Sequence, residues 1–377
     1  MKIAFIGQKG IPAKSGGIER HVEELATRMA AQGHAVFVYV RSNYTEKGLR
    51  EYKGVRLIHL PNIQTKHLDA ITHTLLASFD AVFRGYDIVH YHGIGPSLLS
   101  WIPKILNWKT TVVATLHCQD YYHQKWNVLA RSVLRMGEFM CCMIPDKTIV
   151  VSKLLRQHVL QAYGTETAVI PNGAEVNAIK EANALTQWGI RPKKYVLYAG
   201  RLIKHKGAHY LIEAFKQLED SARVPNAFKL VIVGDGFHTQ DYVEYLKTIS
   251  DGRESIVFTG AQTGETLAQL FSNAYLFVLP SETEGLSLAL LEAMGYGLGV
   301  LVSDIKENLE PLGSNGFVFK NKNVNDLRDQ LAYVLNRADE VQKMGEKAHT
   351  HVEDHYSWNS IARDTLALYG EVIAHKK

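Results

Sequence analysis

Cysteine is scarce in this chain: there are three in 377 residues, Cys118, Cys141 and Cys142, the last two adjacent. So few thiols support no disulfide framework and fit a reducing compartment, so a cytoplasmic location is expected. Long apolar runs are missing as well. The most apolar stretch, Leu286 to Ile305, is divided by Glu292 and by the glycines at 295, 297 and 299. It reads as a helix, a turn and a strand, and no transmembrane segment is expected. The opening residues, Met1 to Gly7, meet a glycine too soon for a leader peptide and read as a buried strand. The chain has neither a Gly-x-Gly-x-x-Gly fingerprint nor a Gly-Lys-Ser/Thr P-loop, so nicotinamide and P-loop readings lose ground. Short-period repeats and low-complexity tracts are also absent.

What is present is ordinary soluble composition, 46% hydrophobic and 21% charged, in a chain long enough for two cores. Charge is unevenly placed. Residues 1–168 carry 20 Lys and Arg against 12 Asp and Glu, whereas the remainder carries 22 against 26. A basic N-terminal half suits an anionic partner such as a membrane surface or a phosphorylated acceptor, or is plain surface charge.

Short apolar runs alternate with helical patterns throughout, which predicts α/β architecture with parallel sheets and helices on both faces. Strands are expected at 2–7, 35–40, 55–60, 88–91, 111–116, 147–151 and 167–170, then at 195–199, 228–233, 256–259, 276–279, 299–302 and 317–319. Ile18, Val22, Leu25, Ala26 and Met29 share one face of a first helix. Pro171, Gly173, Gly189 and Pro192 mark a hinge over 171–194. The predicted fold is two Rossmann-like, doubly wound domains facing across a cleft. The expected bounds are 1–170 and 171–355, with a C-terminal helix over 356–377 whose inner face carries Trp358, Ile361, Thr365 and Leu368.

The chemistry concentrates in Glu284-Gly-Leu-Ser-Leu-Ala-Leu-Leu-Glu292, with one carboxylate on a loop and the other inside an apolar helix. That helix is expected to open at Gly285, with free amides at Gly285, Leu286 and Ser287 that could hold a phosphate. Upstream, Arg201 and Lys206 follow a predicted strand within Gly200-Arg-Leu-Ile-Lys-His-Lys-Gly207. Amides, two cations and two carboxylates suit a ligand with a diphosphate and several hydroxyls, and a nucleotide-sugar is such a ligand. The cations could stabilise a departing diphosphate without a metal, and Glu292 could accept two bonds from a vicinal diol. Plain helix-face and dipole-complementing roles are the alternatives for both acids. Gly16-Gly17 lies between the first strand and helix, where backbone can approach a ligand closely. The preceding segment, 8–13, is longer than a minimal turn and reads as a mobile ligand loop.

In order along the chain, Gly16-Gly-Ile-Glu19, Thr115-Leu-His117, Ile170-Pro-Asn-Gly173, Gly200-Arg…Lys206-Gly207, Val233-Gly-Asp-Gly236 and Glu284-x7-Glu292 resemble retaining glycosyltransferase family 4, of GT-B fold. The resemblance runs almost end to end and implies a metal-independent hexosyltransferase. Its donor would be a UDP-, GDP- or dTDP-sugar, with no further cofactor, and its acceptor a saccharide or a lipid-linked glycan in bacterial surface polysaccharide synthesis. Some similar transferases use rhamnose. The absence of Asp-x-Asp counts against the metal-dependent GT-A type. By the same resemblance His117, Arg201, Lys206 and Glu284 are the catalytic set. Gly16, Gly17, Arg201, Lys206, Glu284, Gly285, Leu286, Ser287 and Glu292 would hold the donor, the last at its ribose. The C-terminal helix is expected to cross back onto the first domain. Gly285-Leu-Ser287 departs from the family's common glycine-phenylalanine-glycine, which leaves the sugar unassigned.

His92, Asp120 and His123 are candidates for the acceptor. His90-Tyr91-His92 has no carboxylate or cysteine at ligand spacing, so it reads as a strand end and not as a metal site. Between Lys125 and Asp146, Arg131 and Arg135 are mixed with Trp126, Val128, Leu129 and other apolar residues. This is either an interfacial helix on the inner face of an anionic membrane or a core helix with solvated arginines. Other functions stay open: a sugar-nucleotide epimerase or hydrolase, and a non-catalytic sugar-nucleotide-binding partner of a glycan assembly complex. A glycoside hydrolase fits less well, because its two carboxylates must flank one bond.

Overall fold

The computed structural model describes all residues except 15, 66–67, 120, 122–127, 177, 225–227, 237–238 and 377. The chain divides into two compact units, Met1–Asn172 with Trp358–Lys377, and Gly173–Ser357.

The first unit begins with β1 (Lys2–Ile6), α1 (Gly17–Ala31), β2 (Ala35–Arg41), β3 (Glu51–Tyr52), β4 (Val55–Leu60) and α2 (Leu68–Phe83). It continues through β5 (Ile88–His92), α3 (Ile94–Ser97), α4 (Trp101–Leu106), β6 (Thr111–Leu116), α5 (Val128–Met143), β7 (Lys147–Val150), α6 (Lys153–Tyr163) and β8 (Ala168–Val169). The second unit runs β9 (Tyr195–Ala199), α7 (Ala208–Asp220), β10 (Lys229–Val233), α8 (Gln240–Ile249), β11 (Ile256–Gly260), α9 (Gly264–Ser272), β12 (Leu276–Leu279) and α10 (Leu288–Gly295). Then follow β13 (Gly299–Ser303), α11 (Lys306–Leu312), β14 (Phe317–Phe319), α12 (Val324–Leu335) and α13 (Ala338–His355). The last helix, α14 (Trp358–Lys376), belongs to the first unit.

The first sheet has the order β3-β4-β2-β1-β5-β6-β7-β8 and the second β11-β10-β9-β12-β13-β14. Every pairing is parallel except the β3–β4 hairpin, which carries no sequence pattern strong enough to predict. The central strands are apolar on both faces because helices cover both, so they read as continuous runs without alternation. Chain order reverses at β1 in the first sheet and at β9 in the second. At such switch points the crossovers leave in opposite directions and open a crevice at the carboxyl ends of the strands.

α14 packs on α1 and β6. It buries Trp358, Ile361, Ala362, Thr365 and Tyr369, a helical stripe that takes in Tyr369 in place of the expected Leu368. Tyr369 shares a 2.6 Å hydrogen bond with His90 Nδ1, and Lys376 Nζ donates to Thr110 O at 2.6 Å. The aromatic hydroxyl has a buried partner on β5, and that fixes the rotation of the helix.

Candidate active site

In the second unit the candidate residues gather at the carboxyl ends of β9 and β12, the two strands at the switch point. Beyond β9 the chain turns through Arg201 and a short 3-10 turn, Lys204–Lys206, into α7. Gly207 makes this possible. Its φ is 73°, and a Cβ there would lie 1.9 Å from Pro280 O at the end of β12. Gly207→Ala is expected to cost roughly 2–5 kcal/mol from left-handed strain and overlap. A thermal melt followed by amide exchange in 195–303 checks this, and protection unchanged from wild type would contradict it.

That close approach delivers Lys206 to Glu284. Lys206 Nζ lies 2.6 and 2.7 Å from the two carboxylate oxygens, and both side chains are largely buried. Glu284 is held from below as well. Ser281 Oγ donates to its Oε1 at 2.6 Å, Ser303 Oγ donates to Ser281 O at 2.6 Å, and Asn308 Nδ2 donates to Ser303 Oγ at 3.0 Å. Ser281, Ser303 and Asn308 are fully buried. None was a candidate from sequence, because they come from three different elements and form no local motif. Arg201 is exposed, with Tyr198 donating to its backbone carbonyl at 3.2 Å.

The expected helix start moves. α10 begins at Leu288, three residues after Gly285, and Ser287 is its N-cap, accepting from Leu290 N at 3.4 Å. A serine at this position takes up an otherwise unpaired first-turn amide, so Gly285 and Leu286 form the approach to the helix, not its first turn. Glu292 is therefore the fifth helical residue, nearer the N-terminus than expected, and is half-buried.

In the first unit the residues after β1, β5 and β6 come together. His92 ends β5 and His117 follows β6, and their Nδ1 and Nε2 atoms are 3.0 Å apart. His21, from α1, stands edge-on to His117 with ring centroids 4.8 Å apart and shares a 2.9 Å hydrogen bond with Asn172 Oδ1. His90 lies behind His92 and bonds Thr115 Oγ1 at 2.7 Å. Burial drives all four imidazoles toward the neutral form, His21 down to about 4 and the others well below their usual value. His92, an acceptor candidate, is buried with its Nδ1 against His117 Nε2. Asp120 and His123 lie outside the described residues, as do Lys125 and Trp126. Ligand nitrogens of His21, His92 and His117 lie within 4.8 Å of one another, a grouping that spacing along the chain could not reveal. Among the described residues no carboxylate or thiolate completes the set for a cation.

Residues 8–13, expected as a ligand loop, are tied to the rest of the first unit at three points. Lys9 N donates to Glu19 Oε1 at 3.1 Å, Ala13 N to Glu23 Oε2 at 2.6 Å, and Thr45 Oγ1 to Ile11 O at 3.1 Å. Gly16, at φ 100°, is the N-cap of α1, and Gly17 is its first residue. A Cβ at Gly16 would lie 2.1 Å from Glu19 Oε2, the movable end of a side chain, so it is the φ of 100° that requires the glycine.

Both units also resemble known proteins. Residues 15–178 match the Glycosyltransferase Family 4 model, and residues 183–351 match the Glycosyl transferases group 1 model. An uncharacterised glycosyltransferase of Methanocaldococcus jannaschii is 26% identical over 98% of each chain. Sucrose-phosphate synthase from Thermosynechococcus elongatus superposes with a TM-score of 0.84 at 22% identity, over 99% of both chains. Anabaena HepE in complex with UDP and glucose superposes with a TM-score of 0.82 at 20% identity, over 98% of this chain and 100% of that one. With both domain models matched in order on two Rossmann-like units, the chain belongs to the family 4, group 1 glycosyltransferases and is a glycosyltransferase of GT-B fold.

Proposed function

We propose that this enzyme is a retaining, metal-independent hexosyltransferase that takes a sugar from a nucleotide diphosphate donor. The second unit, 171–355 by sequence, would hold the donor. The first would hold a saccharide or lipid-linked acceptor, in the synthesis of a bacterial surface polysaccharide. The observation that carries the reading is the buried Lys206–Glu284 pair at the β9–β12 switch point, beside Arg201 and the approach to α10. Lys206 and Arg201 supply positive charge where a diphosphate gains negative charge as the glycosidic bond breaks. Glu284 fixes the Lys206 ammonium and faces the donor sugar, where its carboxylate steadies positive charge at the anomeric carbon. Gly285, Leu286 and Ser287 border the phosphates, Glu292 accepts the ribose hydroxyls, and Gly16 and Gly17 bring backbone to the donor. His117, kept neutral by burial, presents its ring to the sugar without adding a competing cation.

In the reaction the acceptor oxygen bonds to the anomeric carbon on the face the diphosphate leaves. The electron pair of the broken bond goes to the phosphate oxygen, and the acceptor proton passes to that oxygen. No side chain is assigned as base. HepE was solved with UDP and glucose, which supports a UDP-sugar over GDP or dTDP forms. The reading places the protein in the cytoplasm, at the inner face of the cell membrane.

Thermal-shift titration with UDP, GDP and dTDP sugars tests it. One nucleotide class is expected to stabilise the protein, by about 2.7 kcal/mol at a hundredfold excess over Kd. Glu292→Ala and Lys206→Met should lose that shift. Stabilisation by no nucleotide, with magnesium or with EDTA, would overturn the donor assignment.

A further inference from the structure

α2 is built inside out. Its buried face consists of His73, Thr74, Ala77, Ser78 and Ala81, while Leu75, Leu76, Phe79 and Phe83 are exposed, Phe83 by 85%. A helix that packed only on its own sheet would turn the leucines and phenylalanines inward. Its neighbours repeat the pattern. In α4 Ile105 is exposed, and just beyond the helix Trp108 is too, by 73%. α5 is anchored by its C-terminal half: a Cβ on Gly137 would lie 2.4 Å from Ile94 O, and Glu138, Cys141 and Cys142 are buried. Its N-terminal half is bare, with Val128 exposed by 80% and Leu129 by 74%.

These helices share one side of the sheet. The β4-to-β5, β5-to-β6 and β6-to-β7 crossovers all progress in the same direction across the strand order, so right-handed connections place α2, α3, α4 and α5 together. α1 runs the other way and lies on the opposite face with α14. Contacts agree, since α2 packs against α3 and α4, and α3 against α5. Isolated exposed apolar residues are unremarkable, but exposed apolar residues on three helices of one sheet face mark a contact surface.

We infer that this face docks on an anionic lipid bilayer, through α2 and α4 as well as α5. Charge decides between occupants. The acids on these helices are already engaged: Asp69 with Arg41, Asp80 with Arg84, and Glu138 with His158 and Tyr163. Lys109, Arg131 and Arg135 are exposed among the apolar residues. Two copies joined about a twofold axis would oppose these cations to themselves, whereas lipid phosphates complement them. Tryptophan beside lysine, as at Trp108 and Lys109, suits the headgroup level. No helix among the described residues is long and apolar enough to cross a membrane, so contact is in the plane of the surface.

The inference gives a surface to the membrane location proposed above and is independent of the donor chemistry. The full chain should co-sediment with phosphatidylglycerol–phosphatidylcholine vesicles, less with pure phosphatidylcholine, and less again as salt rises. Phe79→Ser with Phe83→Ser, and separately Val128→Ser with Leu129→Ser, should each lower partitioning tenfold or more. Arg131→Gln with Arg135→Gln should abolish the preference for the anionic lipid. Every variant should keep its nucleotide thermal shift, which reads the donor site and the fold separately. No binding to any vesicle, or a solution dimer that the same serine variants dissociate, would overturn the inference.

Discussion

Lys206→Met is expected to lower kcat for sugar transfer by about 10²–10³-fold, the usual loss when one charge stabiliser of a transition state is removed. It is also expected to destabilise the second unit by about 3–5 kcal/mol, because Glu284 is left buried without its countercharge. The two effects separate in a double variant. Lys206→Met with Glu284→Gln removes both charges, so the melting temperature should return toward wild type while turnover stays low. Coupling of this kind is expected for residues 2.6 Å apart. Initial rates and melts on the four proteins of the cycle decide it. Recovery of activity along with stability in the double variant would show that Lys206 acts only as a structural partner.

Acid should unfold the first unit before the second. His21, His73, His90, His92 and His117 are all buried in the first unit, and burial holds each below its ordinary value, His21 and His73 at about 4. Arg41 adds to the effect at His73. Between pH 6.5 and those lower values the unfolded chain takes up protons that the folded chain refuses. Stability is therefore complete above pH 6.5 and falls as pH drops. At pH 5 one such histidine removes about 2 kcal/mol, so several together rival the whole stability of a domain. The second unit also holds His209 and His351 below their usual value, but neither is deeply buried. Amide exchange mapped from pH 7 to pH 4.5 should show protection collapsing in β1, β5 and β6 while β9, β10 and β12 remain protected. Equal loss in both units would contradict this.

Strand and helix periods carried most of the architecture. β4, β6, β9, β12 and β14 begin and end where the pattern of apolar runs places them, and most of the remaining strands differ by a residue. The reason is physical: strands buried on both faces must be apolar throughout, and glycine-rich turns must bound them. The pairing of Lys206 with Glu284 was not legible, although both residues were, because the contact spans 78 positions and depends on β9 lying beside β12. The Ser281–Ser303–Asn308 relay and the His21–His92–His117 cluster were hidden for the same reason. Each draws single residues from separate elements, none with a local signal. The α10 start was misplaced because Gly285 looked like a cap while Ser287 acts as one.

By itself the sequence determined the two α/β units, the order of their strands along the chain, and the residue types gathered after β9 and β12. Those follow from local burial periods and from turn chemistry, which act over a few residues. Only the tertiary structure decided which side chains touch. It paired a cation with a carboxylate, buried four histidines in one cluster, and left the leucines and phenylalanines of α2 facing outward. Strand order and crossover hand set these outcomes, and neither is written in any local stretch of chain.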